Sequence, residues 1–132
     1  MISGLGRAAI FLCREAVDMR KSFDSLSAVV KEHLHMEPLG GAYFAFIGKD
    51  RRRAKVLYWD GTGLCVFSKR LEKGKFVAPW LSADPERGTV KLTVSELLLL
   101  LEGSEWVGRV SLSPAPLVLE RRENFLDGAP RI

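Results

Sequence analysis

Two runs that alternate with a period of two, Ala54–Trp59 and Leu64–Arg70, are separated by Asp60-Gly61-Thr62-Gly63, and nothing else constrains the fold of this chain so tightly. Alternation sends successive side chains to opposite faces of a strand. The glycines supply the positive φ angles that tight hairpins need. Pairing Trp59 with Leu64 sets a register in which opposed residues have numbers summing to 123, so Lys55 faces Ser68, Ala54 faces Lys69 and Arg53 faces Arg70. Tyr43–Ile47 reads as a strand before this hairpin, joined to it by a charged turn at Gly48–Arg53. After it, Leu71–Gly74 turns the chain, and Lys75–Ala78, closed by Pro79, reads as a fourth strand. Connections this short cannot cross over, so the four are expected to form an antiparallel meander.

Outside the meander the pattern changes. Ala8–Arg14 is a short apolar run that reads as a buried strand. Asp18 stands where an N-cap belongs. After it Met19, Phe23, Leu26, Val29, Val30 and Leu34 recur at steps of three and four, the stripe of one helix ended by Pro38-Leu39-Gly40-Gly41. Thr93-Val94-Ser95-Glu96 has the form of a capping box and opens a leucine-filled helix, Val94–Glu102, with Gly103 at its C-terminal cap. That helix is apolar on nearly every side, so it is expected to lie against the sheet. Beyond Trp106, Pro114 and Pro116 interrupt the chain and Leu117–Leu126 reads as a short helix. The expected organisation is one α+β domain over residues 1–107, with 108–132 as a weakly structured tail or short helix. The domain is an antiparallel meander sheet carrying two packed helices and an added N-terminal strand.

With 132 residues, 47% hydrophobic and 27% charged, the chain is the size and composition of a single soluble domain. Two cysteines and two histidines cannot build a disulfide scaffold or a four-cysteine zinc site. The apolar runs Ala8–Cys13 and Leu97–Leu101 are far shorter than the roughly 20 residues of a membrane helix. A cytoplasmic protein without membrane contact or structural metal is expected.

The charge is concentrated. Between Lys49 and Lys75 nine cations meet three anions, a net of +6, whereas the whole chain carries +4; everything outside that window sums to −2. The hairpin register brings Arg51, Arg52, Arg53, Lys55, Lys69, Arg70, Lys73 and Lys75 to one pole of the sheet, opposite the Asp60 turn. Like charges gathered so closely oppose folding and suit a polyanionic partner such as DNA, with these eight residues as the candidate phosphate contacts. Charged residues at strand ends also serve simply to keep edges from aggregating. Tyr58, Trp59 and Phe67 have the chemistry to stack on bases, and equally to fill a sheet core.

Catalytic chemistry does not assemble. Asp18 and Asp24 are six residues apart on the expected helix and point in different directions, while Asp60 sits in a turn, so cap, solvated face and turn account for them. Cys13 and Cys65 lie in strands, where reduced cysteine is common. Asp60-Gly61-Thr62-Gly63 is followed by no Gly-Lys-Ser/Thr and so is not a phosphate-binding P-loop. No catalytic residue, cofactor or metal is assigned.

The stretches Val17–Leu26, Phe44–Gly48 and Leu100–Trp106, and above all Lys55–Phe76 with its Trp-Asp-Gly and Lys-Arg-Leu-Glu-Lys-Gly runs, resemble a known pattern. They are similar to the accessory protein made from the second open reading frame of the insertion sequence 66 family of bacterial transposable elements, often labelled TnpB. The likeness runs from about Ala8 to Trp106. It departs at Val17, where a threonine is common, and at Ser22, where a glycine is frequent. The resemblance implies participation in DNA transposition and recombination beside a separate, larger transposase. Three readings follow: a non-enzymatic factor that contacts DNA at transposon ends or target, a module that docks on the transposase or on a second copy of itself, and, weakest, a nuclease.

Overall fold

Tyr43–Ile47 carries five apolar side chains in succession, and a strand with that composition needs cover on both faces. In the computed structural model, which describes residues 8–81 and 88–103, it has that cover. The strands are β1 (Ile10–Cys13), β2 (Tyr43–Ile47), β3 (Arg53–Trp59), β4 (Leu64–Arg70) and β5 (Thr89–Leu92); the helices are α1 (Phe23–Ala28) and α2 (Val94–Glu102). The strands form one mixed sheet in the order β4-β3-β2-β1-β5, with β2 in the middle. β1 runs parallel to β2 through the α1 crossover, and every other pairing is antiparallel.

Alternation divides the apolar residues between two cores. Ile10, Leu12, Tyr43, Ala45, Ala54, Val56, Val90 and Leu92 meet Leu97, Leu100 and Leu101 of α2. On the other face Cys13, Phe44, Phe46 and Leu57 meet Leu26, Val29 and Val30 of the α1 segment. The sheet is thus a middle layer with one helix on each side, the α+β arrangement expected.

The hairpin has the expected register: β3 and β4 pair from Arg53 with Arg70 to Trp59 with Leu64. Asp60 N–H donates to Gly63 O at 3.1 Å, and Gly61 takes φ +102° at the first position of the turn. The Asp60 carboxylate accepts from the backbone N–H groups of Thr62 and Gly63 at 2.9 and 2.8 Å. These donors pull its pKa down to about 2, so the turn carries a firm negative charge.

Several expectations need correction. Lys75–Ala78 is not a fourth meander strand. Among the described residues it joins no strand ladder and runs across the α2 face with Phe76, Val77 and Ala78 fully buried, and Pro79–Leu81 then forms a 3₁₀ turn. The additional strand is β5, which returns to pair with β1 at the far side of the sheet. The first helix starts later than Asp18: that carboxylate is occupied by Arg20, whose Nη2 approaches Oδ2 at 2.6 Å. Ser22 precedes the helix instead, its N–H donating to Ser25 Oγ. Met19 is buried before the helix begins, and Phe23 is 47% exposed rather than part of the stripe. The helix continues from Val29 to His33 as a widened π turn in which Leu34 N–H reaches back to Val29 O, and His35, at φ +56°, ends it ahead of Pro38. The expected tail helix, Leu117–Leu126, lies outside the described residues.

Candidate nucleic-acid interface

Two connections and a strand end meet at one end of the sheet: the Gly48–Arg52 turn between β2 and β3, the start of β3, and the Leu71–Lys75 segment leaving β4. Leu71 N–H donates to Arg52 O at 2.8 Å and Phe76 N–H to Arg51 O at 2.6 Å, binding the outgoing segment to the turn. This gathers the cations, but it does not present all of them.

Arg51 is withdrawn. Only 1% of its surface is exposed, and its Nε donates to Phe76 O at 2.7 Å while its own carbonyl accepts from Phe76 N–H. As a phosphate contact Arg51 is corrected to a buried clamp between turn and loop. It holds this position at φ +61°, a left-handed backbone sparsely used by residues with a Cβ.

Lys55 and Lys69 are half-buried and point to opposite faces. Lys55 Nζ donates to Lys21 O at 2.7 Å, just before α1, whereas Lys69 Nζ donates to Leu101 O at 2.7 Å, in the last turn of α2. A cation at the C-terminal end of a helix satisfies an orphan carbonyl and complements the negative end of the helix dipole. Each lysine pins a helix to the sheet. The register already implied this division, because Lys69 lies opposite Ala54, on the α2 face, and Lys55 opposite Ser68, on the α1 face.

Six cations remain exposed at the pole: Lys49, Arg52, Arg53, Arg70, Lys73 and Lys75, beside two exposed anions, Asp50 and Glu72. Arg53 pairs with Asp50 at 3.2 Å and Arg70 with Glu72 at 3.3 Å, while Lys49, Arg52, Lys73 and Lys75 form no ion pair with another described residue. Both existing pairs are solvated, and such pairs contribute little and yield easily to a competing anion. Lys49 joins the candidates because it sits on the same turn. Of the aromatic residues, Tyr58 stacks on Tyr43 at 4.5 Å and packs with Phe67 against the α2-side core. They fill the core rather than offering a platform for bases.

A family profile described as IS66 Orf2 like protein matches residues 8–110. The chain belongs to the IS66 Orf2-like family. It is 39% identical over 97 residues to an uncharacterized Sinorhizobium fredii protein, y4hO, covering 74% of this chain and 81% of that one. A second uncharacterized protein of the same organism, y4jC, is 33% identical over 105 residues, covering 80% and 86%. No solved structure matches. Membership makes this a transposition-associated accessory protein of an insertion sequence, and the family match spans every element described above. Among the described residues no helix is long and apolar enough to cross a membrane.

Proposed function

We propose that this IS66 Orf2-like protein is a non-enzymatic accessory factor that holds DNA phosphates at its cationic pole during transposition. The contacts are Arg52, Arg53, Arg70, Lys73 and Lys75, with Lys49 beside them. The observation that carries this reading is the excess of six exposed cations over two exposed anions at one end of the sheet. Field of that strength attracts a polyanion over a Debye length and orders encounter before any close contact forms. Among the described residues the pole is built from turns and strand ends, and none of them forms a helix that projects from it to enter a groove. Contact is therefore to the backbone, with little base readout.

The test is a titration of the pure protein into labelled transposon-end duplex and random duplex at several salt concentrations. About five to six phosphate contacts give a slope of log K against log salt of about −5. Both duplexes bind within a few-fold of one another. Arg70→Ala with Lys73→Ala, both at exposed positions, removes about two units of that slope with the fold intact. Failure to bind either duplex at low salt overturns the DNA reading and leaves the pole to acidic side chains of the separate transposase. Magnesium-dependent cleavage by the protein alone overturns the non-enzymatic part.

A further inference from the structure

β4 lies at an edge of the sheet, and no described residue pairs with its outer side. In an antiparallel ladder bonded and non-bonded pairs alternate. Asp60 N–H to Gly63 O and Leu71 N–H to Arg52 O mark bonded pairs at both ends of the hairpin, each summing to 123. Stepping by two between them, Cys65, Phe67 and Lys69 point their backbone groups at β3. The N–H and C=O groups of Leu64, Val66, Ser68 and Arg70 therefore face away from the sheet, and among the described residues nothing bonds to them.

Among the described residues this edge lacks the usual protection. Natural edge strands are short, bulged or interrupted by charge. β4 has seven residues in unbroken register, about 24 Å of strand. Its Leu64–Phe67 half is uncharged, and Lys69 is turned inward to α2. The edge is also polar along its length: cationic at Arg70 and Lys73, anionic at the Asp60 turn. A parallel partner of the same kind would set cation against cation. An antiparallel one sets each cationic end against an anionic turn.

We propose that β4 pairs antiparallel with β4 of a second copy of this chain, joining two sheets into one of ten strands. The two-fold axis passes through Phe67. Leu64 then faces Arg70 of the other copy and Val66 faces Ser68, numbers summing to 134, so all four outward residues of each strand are bonded. The half-buried Leu64 and Val66 gain cover on the α1 face. The interface is isologous and closed, giving a dimer rather than a filament. It does not depend on DNA binding.

Sedimentation velocity on the full chain, from low to high micromolar, is expected to show a dimer. Amide hydrogen exchange followed by NMR adds a signature specific to this edge. The amides of Leu64, Val66, Ser68 and Arg70 become protected as concentration rises, while those of Cys65, Phe67 and Lys69 are protected throughout. Ser68→Pro removes an N–H that the monomer does not use, at a position where proline is tolerated in edge strands, and it yields a folded monomer. Should that variant fold poorly, the exchange pattern of the unaltered protein decides. A monomer at all concentrations overturns the proposal, as does a dimer in which the four amides exchange freely. A monomer with those amides protected shows instead that the chain's own remaining residues cover the edge, and equally overturns it.

Discussion

Replacing Arg51 by alanine tests whether the most deeply placed cation of the pole is a structural clamp. Truncation removes the Nε donor and leaves Phe76 O without the 2.7 Å bond it now accepts. An orphaned buried acceptor costs about 1–3 kcal/mol. The side chain's methylenes, 1% exposed, add a packing loss of about 0.8 kcal/mol per buried CH₂. Releasing a buried guanidinium returns part of that total, because its desolvation is relieved. The backbone cost at φ +61° is the same for both residues and cancels. The expected loss is about 2–4 kcal/mol, which for a domain of this size lowers Tm by roughly 10–20 °C. Arg51→Met keeps most of the packing while losing the guanidinium and its bond to Phe76 O, so its loss falls between those of the parent and Arg51→Ala. Urea unfolding followed by far-UV circular dichroism, with matched thermal melts, measures both. An Arg51→Ala protein melting within about 2 °C of the parent would refute the clamp.

Three further changes probe other parts of the fold. Gly48→Ala places a Cβ 2.6 Å from Met19 Cγ, and this overpacking is expected to cost about 1–3 kcal/mol; adding Met19→Ala relieves the clash, so a double variant no better than additive in urea unfolding argues against it. Thr93 Oγ1 accepts from Glu96 N–H at 3.1 Å while Glu96 Oε1 accepts from Thr93 N–H at 2.8 Å; Thr93→Ala should lose about 1 kcal/mol in the same assay, and a neutral result would deny the capping box its role. Asp60 has its pKa lowered from 3.8 to about 2, so its contribution to stability is complete above the ordinary carboxylate range and disappears as pH falls toward about 2. Melting temperatures between pH 4 and 2 should therefore fall less steeply in Asp60→Asn, and parallel curves would contradict the assignment.

Where the sequence carried its own boundary markers, the fold was readable from it. The hairpin register followed from two alternating runs and one glycine turn, and the second helix from Thr93, Glu96 and Gly103. Elements defined by distant partners were not readable. β5 is four residues long and is held by β1, far away in the chain, so no local pattern announces it. Phe76 and Val77 have the composition of a strand, but their burial comes from lying across the α2-side core, and composition does not separate a buried strand from a buried irregular segment. Asp18 has the chemistry of an N-cap, yet Arg20 two residues on offers its carboxylate a charged fork at 2.6 Å, and the helix waits for Ser22.

The candidate site divides along the same line. Net charge pointed to one end of the sheet, and the register does bring Arg53 to Arg70 there. It could not say which cations the fold uses. In the run Arg51-Arg52-Arg53 the three residues are chemically equivalent, and only the crossing of the Phe76 backbone singles out Arg51. Lys55 and Lys69 are different: alternation places them on opposite faces, where one meets a carbonyl just before α1 and the other a carbonyl in the last turn of α2. Structural use of three cations leaves the exposed charge at the turns and strand ends of Lys49–Arg53 and Arg70–Lys75. For the same reason Lys55→Ala and Lys69→Ala should destabilise the fold by loosening α1 and α2, whereas Lys73→Ala and Lys75→Ala should leave Tm unchanged and weaken DNA binding. Titrating all four variants at one low salt concentration, beside their melts, separates the two roles; equal losses of affinity at equal stability would return Lys55 and Lys69 to the interface.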